Sequence, residues 1–411
     1  MDSALIARSV RRCSFGRFAL WLAPWLGVLG VGAWALWLCL RYGLYQTNMD
    51  NRYVFGLWIF LDLSIIALGA GAFFTGFLLY VMKKRELKAV IGSAVVLGFI
   101  CYSAAMALLA VDVGQPLRAW FTYWHPNAHS MLTEVTFCIT CYLTVLLIEY
   151  VPVILKTRKL RQIPAYAVFE WELHKLVPVF ALIGTLLSFF HQGSLGGLFG
   201  VLRGRPFAFR EGFALWPSTF FLFILSAAAV GPSFILLTTW TVEKLTGRRL
   251  VKDDVYRLLC KVSGWLLLTY VGAKAVDTMI WINATAPRAG FEAYNFYLQK
   301  PFGPGTLMVE VLLLGLLPAL LLLRGAKEGG LAMINGAALA CAGIVLNRFV
   351  MTIQTLALPT LPFDRFLWYV PSWQENAAFG AMLAYGVIVY SFSYRYLILF
   401  PQEKELSRHV S

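Results

Sequence analysis

Ionisable side chains occur inside several long apolar stretches of this sequence. The acidic and basic ones are Asp62, Asp112, Glu134, Glu149, Lys274, Asp277, Glu310 and Arg348. Further polar residues at the ends of such stretches are His129, His191, Gln192 and Ser194. An ionisable group in apolar surroundings is costly and therefore a candidate for function, and carboxylates and imidazoles are side chains that carry protons. The pattern indicates proton-linked chemistry in an apolar environment.

The chain as a whole is unusually apolar. Of its 411 residues, 59% are apolar and 14% are charged, and the mean hydropathy is +0.70. A soluble domain is about 45–50% apolar and about 25% charged. The long uncharged runs are each able to cross a bilayer core of ~30 Å as a helix. The sequence therefore predicts an all-α polytopic membrane protein and excludes a soluble globule, a disulfide scaffold and a nucleic-acid enzyme.

Ten transmembrane helices are predicted. Their ranges are 18–41, 54–82, 89–111, 131–155, 172–190, 214–240, 256–283, 305–323, 329–352 and 373–397. Ten crossings put both termini on one side, and the loops of that side carry more than twice as many Lys and Arg residues as those of the other. The positive-inside rule then predicts cytoplasmic termini in the cell (inner) membrane. The loop between the fifth and sixth helices is the one deviation, because it holds three arginines.

An internal repeat relates helices two to five to helices six to nine. The matching pairs are Gly71 and Gly231, Asp112 and Asp277, and Glu134 and Glu310. Each unit has four crossings, so the two share one orientation, and we expect two parallel-repeat four-helix bundles with one flanking helix at each end. The expected parts are 1–53 with the first helix, 54–213 with the first bundle, 214–372 with the second bundle, and 373–411 with the tenth helix and a cytoplasmic tail.

Nearly all the buried charge is predicted to lie in the non-cytoplasmic half of the membrane. At 1.5 Å per residue, Asp62 lies ~12 Å from the outer face, and Glu134, Glu310 and Arg348 lie roughly 6–8 Å from it. Only Glu149 is near the cytoplasmic end. Carboxylates, a histidine and basic groups in an apolar pocket suit a lipophilic quinone, because its reduction moves two protons with two electrons.

Purely structural explanations compete with this interpretation at single positions. Lys274 and Asp277 are three residues apart on one helix face and would neutralise each other. Glu310 is close to a helix start, where the helix dipole would stabilise its negative charge. Glu149 would reach the membrane interface or a basic loop, whereas Asp62 has no polar neighbour that explains it. At the level of the whole chain, a secondary transporter and a passive membrane anchor are the alternative functions.

Several stretches of the sequence resemble the NrfD/PsrC family of membrane subunits, and most closely its HybB-like and DsrP-like subgroup. They are FGLWIFLD ending at Asp62, GAGAFFTG from Gly69, VDVG with Asp112, NAHSMLTEVTFCITCYLTVLLIEYVP with His129, Glu134 and Glu149, LSFFHQGSLGGL with His191, Gln192 and Ser194, MVEVLLLGLLP with Glu310, NRFVMTIQ with Arg348, and YVPSWQE ending at Glu375. These stretches keep their order over nearly the whole chain.

The resemblance implies a menaquinone-interacting subunit of a larger respiratory complex, with no haem or iron–sulfur cluster of its own. It implies an extracytoplasmic ferredoxin-like iron–sulfur partner and further redox subunits of the cytochrome, hydrogenase or reductase type. We expect Asp62 and Glu134 to carry protons and His191 to donate a hydrogen bond to a quinone oxygen. The remaining residues expected at the quinone site are Asp112, His129, Gln192, Ser194, Asp277 and Arg348.

Overall fold

The structure is a computed structural model that describes residues 13–127, 129–155, 164–211, 216–298, 303–359 and 365–406. Within these residues the extended regular structure is helical, and ten helices are long and apolar enough to cross a membrane. They are α1 Phe15–Tyr42, α2 Leu57–Tyr80, α3 Ile91–Asp112, α4 Met131–Leu155, α5 Pro164–Gly200, α6 Ser218–Thr246, α7 Asp253–Arg288, α8 Gly305–Glu328, α9 Gly330–Ala357 and α10 Trp373–Tyr396. The predicted all-α membrane fold with ten spans is confirmed.

The two ends of the described chain lie at the same face of the molecule. Arg395, at the end of α10, donates a hydrogen bond from Nη1 to the carbonyl oxygen of Cys13, just before α1, at 3.0 Å. We call this face the terminal face and the other the opposite face. An even number of crossings requires this arrangement, and the location of the terminal face in the cytoplasm remains a prediction.

Contacts between helices follow the order of the chain. In the first half α2 packs on α3, α3 on α4, α4 on α5, and α5 back on α2. In the second half α6, α7, α8 and α9 make the corresponding ring of contacts, while α1 pairs with α10 and α10 packs on α3. Short connections favour such antiparallel neighbours. These contacts agree with two four-helix groups and two flanking helices, and the repeat symmetry between the groups remains a prediction.

The two groups of helices meet where α2 crosses α6. The backbones of Gly71 and Gly231 touch, and a Cβ atom added to either glycine would collide with the backbone of the other. Small residues allow this close approach between membrane helices. These two glycines are the pair that the sequence repeat identifies as equivalent, so the predicted equivalent positions meet at the centre of the molecule.

Helix α5 differs most from its predicted range, because it continues to Gly200 instead of ending at residue 190. The glycines that suggest a loop allow close packing on α6. A Cβ atom at Gly193 or Gly196 would collide with the rings of two α6 phenylalanines. Close packing of small residues offsets the low helix propensity of glycine. His191 and Gln192 therefore lie within the helix and not at its end.

Three helices of the second group contain a π-helical segment. These are Trp281–Thr285 in α7, Val309–Leu316 in α8 and Val350–Gln354 in α9. The direction of each helix places all three segments in the half near the opposite face. Segments of this kind are rare and are frequently found at functional sites. One contains Glu310, and another begins two residues after Arg348.

Candidate functional site

The centre of the first bundle holds five buried polar side chains, which we call the α5 group: Tyr102, Tyr142, Ser188, His191 and Gln192. Each is no more than 1% exposed. The ring centroids of Tyr102 and Tyr142 are 4.0 Å apart, and those of Tyr102 and His191 are 5.8 Å apart. The hydroxyl groups of Tyr102 and Ser188 are 3.4 Å apart. Residues from α3, α4 and α5 thus form one polar cluster.

His191 and Gln192 carry hydrogen-bonding atoms that no described residue satisfies. The imidazole faces the backbone of Val135 and the amide faces the hydroxyl of Tyr102. Neither nitrogen of the imidazole and neither polar atom of the amide reaches ordinary hydrogen-bond geometry with a described residue. A buried polar group without a partner costs about 1–3 kcal/mol. The cluster can therefore both donate to and accept from a polar ligand.

Glu134 and Ser194 lie beside the α5 group, towards the opposite face. The carboxylate of Glu134 is half-buried and faces the hydroxyl of Ser194. That hydroxyl donates to the carbonyl oxygen of Phe190 at 2.7 Å. Ser194 lies within one helical turn of His191 and Gln192 on α5. The structure thus brings four predicted site residues close together: Glu134, His191, Gln192 and Ser194.

A second group of carboxylates lies between the first bundle and α10. Asp62 and Glu375 are 3% and 0% exposed. Asp62 lies close enough to Asp112 for the two carboxylates to repel each other, and Asp112 stands in the same relation to Glu375. One oxygen each of Asp62 and Asp112 has no hydrogen-bond partner among the described residues. The interactions that the structure shows link Asp62 to Asp112 and not to His191.

Glu375 fixes the start of α10 and connects it to α2. With Ser372 it forms a capping box, and it accepts a hydrogen bond from the backbone nitrogen of Asn48 at 3.0 Å. The Tyr369 hydroxyl donates to Glu375 and accepts from the backbone nitrogen of Leu57 at 2.7 Å. Burial raises the pKa of the Tyr369 hydroxyl, so that it keeps the proton that it donates. These bonds hold the first turn of α2 against α10.

Asp277 in the second bundle pairs with Arg210. The guanidinium Nη2 lies 2.8 Å from the carboxylate, and Nε lies 3.0 Å from the same oxygen. Ser218 donates to the other oxygen at 2.5 Å. Arg210 is 6% exposed, although the sequence places it in the loop after α5. Because this arginine is directed inward, it accounts for part of the loop's deviation from the positive-inside pattern.

Lys274 pairs with Glu310 on α8, at 3.2 Å between Nζ and the carboxylate. The predicted neutralising pair between Lys274 and Asp277 is therefore wrong, because each residue has its ion-pair partner on another segment. Glu310 also accepts a hydrogen bond from Asn347 at 2.7 Å. These partners, rather than the dipole of α8 alone, account for the position of Glu310.

Arg348 is fully buried and belongs to the same network. It donates to the side-chain oxygen of Asn347 at 2.6 Å and to the hydroxyl of Ser226 at 3.1 Å. Its guanidinium lies 3.5 Å from the ring centroid of Phe223. The predicted site residues Asp277 and Arg348 thus lie in the second bundle, where described protein groups contact them.

His129 and Glu149 lie away from these groups. His129 is exposed before α4, and its backbone nitrogen donates to the side chain of Asn127 at 3.0 Å. Glu149 is 8% exposed and lies near Tyr80. The expectation that Glu149 reaches the membrane interface is wrong, because its side chain is buried; the basic loop at 156–161 lies outside the described residues.

Charge alone does not identify every polar residue of these groups. Tyr102 and Tyr142 are neutral residues in apolar runs. Asn347 is also neutral, and the sequence draws attention to the charged Arg348 that follows it. The excess of arginine in one loop was the signal that could have identified Arg210.

Among the described residues, no three His, Cys, Asp or Glu side chains are grouped so that they could hold a metal ion.

Comparisons with known proteins identify the family of this chain. Residues 45–359 match the family described as "Polysulphide reductase, NrfD". The chain is 47% identical over 410 residues to "Menaquinone reductase, integral membrane subunit" from Nitratidesulfovibrio vulgaris, covering 99% of this chain and 98% of that protein.

More distant relatives come from other complexes. A selenate reductase subunit of Mesobacillus selenatarsenatis is 21% identical, with 92% of this chain and 93% of that protein covered. The "Probable Ni/Fe-hydrogenase 2 b-type cytochrome subunit" of Escherichia coli is 24% identical, with 37% and 38% covered. The DsrP-like subgroup remains a prediction. The family match covers most of the sequence, and it shows that the chain belongs to the NrfD family.

Proposed function

We propose that this chain is the membrane subunit of a respiratory oxidoreductase complex and that it binds menaquinone among α3, α4 and α5. The observation that carries the proposal is the α5 group. His191 and Gln192 are fully buried, and their polar side-chain atoms have no hydrogen-bond partner among the described residues. A quinone carbonyl oxygen accepts hydrogen bonds, and both side chains have an N–H group that can donate one.

The difference between the two bundles supports this location. Asp277 pairs with Arg210 and Lys274 pairs with Glu310. Arg348 donates to Asn347 and Ser226, and its Nε has no partner among the described residues. Charges that are paired within the protein need no ligand to compensate their burial. The buried polar atoms of His191 lack such compensation, so the first bundle is the better place for a polar ligand head group.

The same neighbourhood supplies proton carriers. Reduction of a quinone adds one proton to each of its two oxygens, and these protons must come from groups near the ligand. Glu134 is half-buried on α4 beside Ser194, and we assign it the transfer of a proton to the quinone. Asp62 and Asp112 form a second pair of carboxylates at the edge of the bundle, and we assign them proton exchange at that edge.

Electrons come from a partner in this proposal. The relatives named above are subunits of reductases and a hydrogenase, and we infer a similar assembly for this chain. A ferredoxin-like iron–sulfur subunit would dock at the opposite face, which the distribution of Lys and Arg predicts to be outside the cytoplasm. Glu134, in the first turn of α4, lies in the half of the bundle nearer to that face, and the α5 group lies near the middle of the bundle.

Substitution of Glu134 and His191 in the purified complex tests the proposal. We expect Glu134→Gln to lower the rate of quinone reduction about a hundredfold, the lower range for loss of an acid–base group. We expect His191→Phe, which removes the hydrogen-bond donor, to lower the same rate. The rate is measured with a menaquinone analogue as acceptor, and co-purification of the partner subunits checks assembly.

Glu211→Gln is the matched control, because this exposed carboxylate pairs with exposed Arg288. It should leave quinone reduction unchanged. Wild-type rates in both Glu134→Gln and His191→Phe, with the complex intact, would refute the assigned site.

A further inference from the structure

A long apolar crevice runs into the side of the molecule from the terminal face. It lies among α1, α2, α3, α6, α9 and α10 and has a volume of about 1440 Å³. It begins beside Arg17 and Arg395 and ends beyond the membrane midplane at Phe60 and Phe349, whose ring centroids are 5.9 Å apart. Pockets for small ligands measure about 300–1,000 Å³, so the crevice is larger than a site of that kind.

Hydroxyl groups on the crevice wall are already bonded to the protein. Thr238, Thr241 and Thr246 of α6 each donate to the carbonyl oxygen four residues earlier, at 2.9, 2.7 and 2.7 Å. The hydroxyl of Ser391 accepts from the indole nitrogen of Trp21 at 3.1 Å. The wall therefore suits a saturated hydrocarbon chain, which makes no hydrogen bonds, better than a quinone ring.

The charged residues that line the crevice are both basic, among the part of the chain that the structure describes. Arg395 contacts Cys13 through Nη1 and lies 4.6 Å from the ring centroid of Phe18. Arg17 lines the crevice and is exposed at the mouth. No described carboxylate lines the crevice. The mouth is thus complementary to an anion at the level of the lipid head groups.

We propose that the crevice binds an anionic phospholipid, with its acyl chains along the apolar wall and its phosphate at Arg17. Basic pockets between transmembrane helices on the cytoplasmic side are a known kind of site for anionic head groups. This site is separate from the α5 group, so the proposal does not depend on quinone binding there. It gives the largely exposed helix α1 a function in holding a lipid against α10.

The head-group contact is tested with the full-length chain in nanodiscs of equal phosphatidylglycerol and phosphatidylcholine. After extraction into detergent, mass spectrometry counts the lipid that remains bound. We expect phosphatidylglycerol to predominate, and Arg17→Gln to lower its retention about fivefold, since one arginine near the surface contributes about 1 kcal/mol. Arg17→Lys should restore retention. Arg41→Gln, at the other end of α1, is the matched control and should retain the wild-type amount.

The chain contact is tested by filling the crevice. Ala342 on α9 lines it and is exposed, whereas Ala338, one turn earlier, is exposed outside it. We expect Ala342→Phe to reduce the retained phosphatidylglycerol and Ala338→Phe to leave it unchanged. Retention that is equal in Arg17→Gln, Ala342→Phe and wild type would overturn the proposal. Loss of menaquinone from Ala342→Phe without loss of phospholipid would also overturn it, by assigning the crevice to the quinone tail.

Discussion

Buried charged residues of this chain differ in how they are compensated. Arg210 and Asp277 form a close pair, and Lys274 and Glu310 form another. In the first bundle, by contrast, one carboxylate oxygen each of Asp62 and Asp112 and both imidazole nitrogens of His191 have no partner among the described residues. Desolvation of an unpaired charge is costly, and pairing within the protein reduces that cost. At the residue scale, the two ion pairs of the second bundle are compensated within the protein, although Nε of Arg348 has no described partner, and we assign the unpartnered polar atoms of His191 to a ligand.

Arg210→Ala tests the structural role of the buried pair. Removing one partner leaves the carboxylate of Asp277 buried and uncompensated, so we expect the free energy of unfolding to fall by about 3–5 kcal/mol. The measurement is unfolding of the purified chain in detergent by a denaturant titration. Arg203→Ala is the control, since Arg203 is exposed in the same connection.

The double variant Arg210→Met with Asp277→Leu separates pairing from packing. Replacing both charges with apolar side chains removes the desolvation cost, so stability should return to near the wild-type value. A double variant as unstable as Arg210→Ala alone would show that the pair contributes through shape and not through charge.

Helix α5 is the element on which the candidate site depends, because it carries His191, Gln192 and Ser194. Its last turns are rich in glycine and pack against α6. A Cβ atom at Gly196 would lie 2.6 Å from the ring of Phe223, which is too close. The glycines therefore fix the distance between α5 and α6, and through it the depth of the site.

Gly196→Ala and Gly197→Ala form a matched pair of substitutions in this helix. We expect Gly196→Ala to destabilise the chain by about 1–3 kcal/mol, the usual cost of overpacking. Gly197→Ala meets only the flexible side chain of Met131, at 3.3 Å and beyond, so it should be neutral or stabilising through helix propensity. Thermal unfolding in detergent distinguishes them, and equal stability of the two variants would contradict the close contact.

The sequence predicted the ten helices well because each is defined by its own hydropathy. It was least accurate at the end of α5, where glycine resembles a loop signal and only packing on α6 shows otherwise. The partners of the charged residues were also not predictable in full. Lys274 and Asp277 are neighbours in sequence, but lateral packing gives them Glu310 and Arg210 as partners.

The candidate site was predicted in part. Glu134, His191, Gln192 and Ser194 come together on α4 and α5. Asp62 joins Asp112 beside α10 instead. Which side chains meet depends on which helices are neighbours and on how each helix is rotated about its axis. A single sequence does not specify either.

The orientation of the whole molecule is testable through single thiols. Cys13 is exposed at the terminal face, and Arg118 is exposed in the α3–α4 connection at the opposite face. We expect a membrane-impermeant maleimide added to intact spheroplasts to label Arg118→Cys in a background where Cys13 and the other native cysteines, including exposed Cys141, are replaced by Ser. Cys13 itself should react only after permeabilisation. Labelling of Cys13 in intact spheroplasts would place the termini outside the cytoplasm and move the proposed docking face to the other side.

The location of the quinone is the central claim at the scale of the whole molecule, and photolabelling tests it most directly. The intact complex is irradiated with a photoreactive menaquinone analogue, and labelled peptides are mapped with and without excess menaquinone. The account predicts competed labels in α4 and α5, around Glu134 and His191. Competed labels confined to α7, α8 and α9, or to the crevice between α1 and α10, would contradict it.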